Sequence, residues 1–181
     1  MKIVDLTRED RDWTHQTASL LQESFEAWST YEMARDEVID SLQEERISRV
    51  LLSHEGEVIG WIGGQSQYGG NVWELHPLVI REAHRRKGHG KRLVLDFEKQ
   101  VAQRGGVTIM LGSDDEHNQT NLSNRNIYTD VPAFIKEFRS EDHPANFYFK
   151  LGYVIVGIIP DANGMGKPDI LMAKRVEGTA T

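Results

Sequence analysis

A chain of 181 residues is a length that one domain fills, and a content of 39% hydrophobic and 27% charged residues suits a folded protein, not a disordered one. It has no cysteine, which excludes a disulfide framework, a thiolate metal site and a cysteine nucleophile. The net charge of -7 disfavours nucleic acid as the main partner, because attraction to phosphates dominates that affinity, and it suits a cationic ligand.

The opening MKIVDLTRED is charged and strand-like, so it is not read as a secretory signal. KIVDL (2–6) alternates and predicts a first strand. In 10–28, Trp13, Leu20, Leu21, Phe25 and Trp28 recur at helical spacing. A second helix is expected over 32–43. Residues 47–68 read as a hairpin with Gly56 in its turn. NVWELHPLVI (71–80) is a long strand with Pro77 inside it; proline lacks the N–H that a central ladder needs, so a bulge or splay is expected there. A helix over 89–105 shows an apolar stripe of Leu93, Phe97 and Val101 and a stop at Gly105–Gly106. VTIMLGS (107–113) is a strand. Residues 114–140 are polar and too long for a simple loop, so some helix is expected within them. HPANFYFKLGY (143–153) predicts a short helix with Pro144 in its first turn and Gly152 at its end. Strands follow at 153–160 and 169–176, and EGTAT at the end reads as a disordered tail. The longest apolar run near the end, YVIVGII, is far short of the roughly 20 residues that span a bilayer. The expectation is a single α/β domain over 1–181, soluble and cytoplasmic, with no membrane partner.

Charge is distributed unevenly. Residues 81–92 hold Arg81, Arg85, Arg86, Lys87, Lys91 and Arg92 against Glu82 alone, a local +5 that leaves -12 on the remainder. An apolar strand end runs through this basic turn, with Gly88 and Gly90, into a helix. A helix N-terminus presents free N–H groups and a positive dipole end, and glycine lets an anion approach closely, so the pattern suits a pyrophosphate. A solvated charge run is the plainer alternative. The P-loop pattern G-x-x-x-x-G-K-[ST] is absent, and only two glycines of a dinucleotide fingerprint are present.

The run Arg85, Arg86, Lys87, Gly88, His89, Gly90 fits R-x-x-G-x-G and resembles the acyl-CoA loop of the GCN5-related N-acetyltransferases, whose element order the chain follows nearly throughout. WELHPLVI (73–80), RGGVTIMLGSDD (104–115) and the segment 143–174 are similar to the aminoglycoside 6'-N-acetyltransferases, in the branch related to the chromosomal enzyme of enterococci. That resemblance implies a mixed, mostly antiparallel sheet splayed at a parallel strand pair with helices on both faces. It implies acetyl-CoA as co-substrate, bound by Leu78, Val79, Ile80, Arg85, Arg86, Lys87, Gly88, His89, Gly90 and Lys91. It also implies an aminoglycoside amine as acceptor, and a homodimer.

An amine is protonated near neutral pH, so a base must free it for attack on a thioester. Glu74 is the candidate, with His76 two residues on and on the same face. By resemblance the Leu78 N–H stabilises the developing oxyanion and Tyr148 returns a proton to the leaving thiolate. Without cysteine, direct transfer is expected in place of an acyl-cysteine intermediate. A polycationic acceptor needs carboxylates, and Asp114 and Asp115 leave a strand end where they could serve; Phe25, Trp28 and Tyr68 are expected to wall the acceptor pocket. After Asp115 the sequence EHNQTNLS departs from the enterococcal pattern, with His117 where an acid is expected. The seven histidines show no metal spacing, so no metal is expected. The alternatives are an acetyltransferase for another amine (a polyamine, peptide or protein lysine), a non-catalytic acyl-CoA sensor, and a basic nucleic-acid patch.

Overall fold

A computed structural model describes residues 1–176; the expected tail at 177–181 lies outside the described residues. The chain divides into two compact units, residues 1–107 with Val176, and residues 108–175.

The first unit is an antiparallel sheet of β1 (Lys2–Asp5), β2 (Arg46–Leu52), β3 (Val58–Gln67) and β4 (Val72–Ile80), paired in chain order. Helices α1 (Arg11–Ser24) and α2 (Tyr31–Asp40) are joined through a 3-10 turn at Glu26–Trp28. Their buried residues Leu20, Leu21, Ala34 and Val38 cluster with Val50, Leu52, Val58, Trp61 and Val79 of the sheet. Helix α3 (His89–Gln103) buries Leu93, Val94, Phe97 and Val101.

Side chains alternate across a strand, and β3 shows which helix takes which face. Trp61 belongs to the cluster with α1 and α2. A methyl group placed on Gly60 would meet the Leu93 side chain at 3.2 Å, and one on Gly64 would meet the Phe97 ring at 2.3 Å. The helices thus cover both faces, as expected. On the α3 face, buried Arg49 donates to Asp96 at 2.8 Å and to Asp5 at 2.6 Å, tying β1, β2 and α3 together.

The stop of α3 follows the predicted chemistry. Gly105 takes φ 80°, its N–H donates to the Ala102 carbonyl at 3.1 Å, and that of Gly106 to Val101 at 3.0 Å. These are the two bonds of a Schellman cap, which needs a residue at ease with positive φ.

The second unit is an antiparallel sheet in the order β5 (Thr108–Asp114), β7 (Asp169–Arg175), β6 (Val154–Ile159), with two short helices, α4 (Val131–Lys136) and α5 (Ala145–Phe149). Helix α4 and a 3-10 turn at Ile127–Thr129 are the helical content expected within 114–140. Pro144 starts α5, and Gly152 closes it with the same pair of bonds seen in α3. Ile109, Leu111, Ile170 and Met172 form the sheet's buried side, joined by Leu122, Ile127 and Tyr153.

The close fit of α3 over Gly64 gives a stability prediction. Gly64→Ala places a methyl 2.3 Å from the Phe97 ring and 2.7 Å from the Glu74 carbonyl, the latter being backbone that cannot swing away. The variant is expected to lose about 1–3 kcal/mol in urea denaturation, whereas Gly157→Ala, which has no left-handed backbone and would meet only the Leu171 side chain at 3.4 Å or more, serves as the control.

Candidate active site

The site begins with the defect in β4. The register pairs Ile62 with Leu78 and Gly64 with Leu75, so His76 and Pro77 together lie opposite Gly63. This is the bulge that Pro77 predicts: one extra residue on β4, where the ladder lacks an N–H. The His76 carbonyl comes 2.7 Å from where a Cβ on residue 63 would sit, so only glycine fits opposite it.

On one side of the bulge stands Glu74, half-buried. Its Oε2 accepts from Gln65 Nε2 at 2.8 Å and from Gln67 Nε2 at 3.3 Å. Gln65 is its register partner across β3, and Gln67 follows on the same face. Neutral amides orient a carboxylate without cancelling its charge, and among the described residues Glu74 forms no ion pair. Oε1 is left for another donor. The two glutamines were missed in the sequence; a Gln-x-Gln at strand spacing beside the bulge was the available signal.

His76, exposed, places its ring 5.7 Å from that of Trp28, which in turn stands edge-on to Phe25 at 5.5 Å. Three residues expected near the acceptor thus form one aromatic line leading from the bulge. Phe25 also lines a cavity of about 360 Å³ with Glu23 and Glu26, two carboxylates not anticipated from the sequence. Tyr68 is not brought into this line: it is 78% exposed, in the turn after β3, and makes no ring contact among the described residues.

On the other side of the bulge lie Leu78, Val79 and Ile80, paired with Ile62, Trp61 and Gly60. Strand backbone groups alternate in direction, so pairing with β3 engages only part of them. The chain then enters the basic loop. Arg86 and Gly88 take φ of 61° and 82°, and α3 starts at His89. The first intrahelical donor is Arg92 N–H, to the Gly88 carbonyl at 3.1 Å, so the N–H groups of His89, Gly90 and Lys91 have no acceptor within the helix. A Cβ on Gly88 would meet nothing within 4 Å. The glycine therefore serves the left-handed turn and keeps the helix end open.

The loop's cations divide into two kinds. Arg85 Nε donates to the Ile80 carbonyl at 3.0 Å and Lys87 Nζ to the Ala83 carbonyl at 2.8 Å, so these two brace the loop. Arg86 and Lys91 are exposed. The His89 ring is buried, with Nδ1 unpartnered, and burial, reinforced by Arg92, His84 and Lys87, lowers its pKa. It is a neutral anchor under the loop; what His89 offers an anion is its backbone N–H.

In the second unit, Asp114 and Asp115 part ways. Asp115 is fully buried. Its carboxylate accepts from Gln119 N at 2.6 Å, from Thr120 N at 3.1 Å and Oγ1 at 2.6 Å, and from the Ser123 hydroxyl. Burial alone would raise its pKa, but the bonds from Ser123, Thr120 and Gln119 outweigh this and lower it. These bonds organise the turn at 115–123. Asp114 is exposed, accepts from Asn163 Nδ2, and lies across the ladder from Asp169. His143 accepts from Ala145 N–H at Nδ1, so its Nε2 carries the proton and donates to the Asp114 carbonyl at 3.0 Å. Tyr148 is 8% exposed and packs edge-on against Phe147 and Tyr153 at 5.0 and 5.5 Å. Burial raises its pKa, so its phenol keeps its proton near neutral pH.

Among the described residues no group of three or more His, Asp or Glu side chains gathers as a metal site, and no helix is long and apolar enough to cross a membrane.

The sequence profile of the acetyltransferase (GNAT) family matches residues 13–130. An aminoglycoside 6'-N-acetyltransferase solved in complex with coenzyme A is 38% identical, with a TM-score of 0.93 over 100% of both chains. The aminoglycoside 6'-N-acetyltransferase from Enterococcus faecium is also 38% identical, with a TM-score of 0.91 over 100% of both chains. An aminoglycoside 6'-acetyltransferase type Ii is 36% identical, with a TM-score of 0.79 over 99% of this chain and 100% of that one. No curated protein sequence matches. The α/β fold expected from the sequence is the fold of these acetyltransferases.

The buried carboxylate gives a pH-dependent prediction. Folding lowers the Asp115 pKa below its ordinary 3.8. Its contribution is therefore complete above that value and is lost as pH falls through the lower, folded pKa. Asp115→Asn is expected to cost about 1–3 kcal/mol at pH 7. In urea denaturation the gap to the wild type should narrow as pH drops below 3.8.

Proposed function

The chain belongs to the acetyltransferase (GNAT) family, and from that membership we propose that it transfers the acetyl group of acetyl-CoA to the 6'-amino group of aminoglycoside antibiotics. Resistance to those antibiotics is the outcome. The observation that carries the reading is Glu74: a carboxylate held by two neutral amides, without a cation, at a strand bulge. Full-length likeness to aminoglycoside 6'-N-acetyltransferases supports the acceptor over a polyamine, peptide or protein lysine.

The basic loop fits the coenzyme. Three backbone N–H groups at the start of α3, an open approach over Gly88, and the exposed cations Arg86 and Lys91 suit a pyrophosphate. Arg85 and Lys87 contribute by holding the loop's shape. Leu78, Val79 and Ile80 are assigned to the pantetheine arm, which would pair with them as an added strand. The thioester supplies an activated acetyl group. Glu74 removes the proton from the acceptor's ammonium, directly or through one water. The Leu78 N–H is assigned to the oxygen that gains charge during attack. Tyr148, kept protonated by burial, is assigned to the departing sulfur.

The acceptor reading places the amino sugar beside His76 and Trp28, with Phe25 extending the wall. Glu26 is added for the remaining ammonium groups, because an uncompensated polycation needs opposing charge; Glu23, 3.6 Å from Arg81, is already paired. Asp114 keeps that role. Asp115, its oxygens spent inside its own turn, supports the loop. Tyr68 stands in solvent and is retained only as a candidate contact for the acceptor. The enzyme is read as a single acetyltransferase domain, cytoplasmic and homodimeric. Val154 and Val156, each 58% exposed on β6, offer apolar surface that a second copy would cover.

Thiol release from acetyl-CoA tests the reading. Kanamycin-type acceptors with a 6'-amine should turn over, and analogues with a 6'-hydroxyl should not. Saturable acetyl-CoA binding without turnover of any 6'-amino acceptor would exclude it and leave a coenzyme-binding protein with another acceptor or none.

A further inference from the structure

Away from these residues, the first unit holds a second cavity, of about 370 Å³, walled by the start of α1, by α2 and by the turn before α1. Arg8, Arg11 and Arg35 all line it. Like charges gathered around one concavity repel, and of these three only Arg35 has a carboxylate partner among the described residues. Asp10 is occupied by Thr7, through N at 3.0 Å and Oγ1 at 2.7 Å. Asp12 accepts from Gln16 at 2.8 Å. Arg35 pairs with Asp36 at 2.9 Å. Among the described residues, Arg8 and Arg11 form no ion pair. In a chain of net charge -7, two guanidinium groups with many acids to choose from face a cavity instead.

The rest of the lining differs in character. Ile39 and Leu42 are apolar, and Ile39 is 44% exposed. Tyr31 is fixed against His15, its hydroxyl 2.7 Å from Nδ1 and the rings 5.2 Å apart. A fixed aromatic ring, an apolar wall and a few convergent polar groups are the composition of small-ligand pockets, and the volume lies within their usual range of roughly 300–1,000 Å³. Guanidinium forks match the paired oxygens of a carboxylate or phosphate.

We propose that this cavity binds a small organic anion. Arg8 and Arg11, with Arg35, hold a carboxylate or phosphate head, and the apolar or aromatic body lies against Tyr31, Ile39 and Leu42. No residue of β4 or of the basic loop at 81–92 lines this cavity, so it is separate from the groups assigned to acetyl transfer.

Calorimetric titration of the full chain with benzoate and with phenyl phosphate tests the site, each run with and without saturating coenzyme A so that binding at the basic loop is recognised. At least one probe is expected to bind saturably at one site per chain in both conditions, and the preferred probe identifies the head as carboxylate or phosphate. Inorganic phosphate and benzyl alcohol, which each carry half of the chemistry, should bind at least tenfold more weakly. The double variant Arg8→Gln, Arg11→Gln should weaken the preferred probe at least tenfold at an unchanged melting temperature, and Ile39→Glu should do the same by placing a negative charge on the apolar wall. Absence of saturable binding by both probes, binding that both variants retain, binding lost whenever coenzyme A is present, or equal binding of inorganic phosphate would overturn the proposal.

Discussion

A ladder cannot run straight through a residue that has no N–H. Pro77 imposes that constraint in the middle of β4, and the strand answers with one extra residue opposite Gly63. Everything assigned to chemistry in the first unit is arranged about this defect. Glu74 precedes it, oriented by Gln65 and Gln67 from the neighbouring strand. Leu78 to Ile80 follow it and lead into the basic loop. His76, within it, turns toward Trp28. The defect is held in place by its surroundings: the His76 carbonyl fills the space that a side chain at 63 would need, and Phe97 of α3 fills that at 64. The bulge is therefore fixed by packing on the side where α3 docks, and its functional groups belong to a rigid scaffold.

Charge follows the same division of labour. The loop at 81–92 concentrates cations around a helix start whose N–H groups have no helical acceptor. Arg85 and Lys87 are spent on nearby carbonyls, Arg81 donates to the Val58 carbonyl and pairs with Glu23 at 3.6 Å, and Arg86, Lys91 and Arg92 are left outward. Acids gather elsewhere: Glu26 beside Phe25, Glu74 at the bulge, Asp114 at the end of β5. An anionic donor and a cationic acceptor are drawn to different surfaces of one chain, and the net charge of -7 conceals both.

Much of this was legible in the sequence because the signals are local. Pro77 in an apolar strand announces the bulge; Gly105–Gly106 after an apolar stripe announces the end of α3; Arg85 to Gly90 before a helix announces the anion loop. The misjudged residues are those whose environment depends on distant chain. Asp115 reads as a carboxylate for a cationic acceptor, yet Thr120 and Ser123 fold back to enclose it. His89 lies in a polar loop but its ring is buried beneath it. Tyr68 reads as a pocket aromatic and stands in solvent. Arg8, Arg11 and Arg35 converge only because α2 brings residue 35 beside the turn before α1. Gln65 and Gln67 carry a strand-period signal, but one that gains meaning only once β3 is paired with Glu74.

The carboxylate at the bulge, held by neutral amides, is proposed as the base for acetyl transfer. The direct measurement is turnover and acetyl-CoA affinity of Glu74→Gln, which keeps the shape and the contacts to Gln65 and Gln67 while removing basicity. Affinity for acetyl-CoA should be unchanged, and kcat with a 6'-amino aminoglycoside should fall by about 10²–10⁴-fold. Turnover equal to that of the wild type would contradict that assignment and move the base to another group.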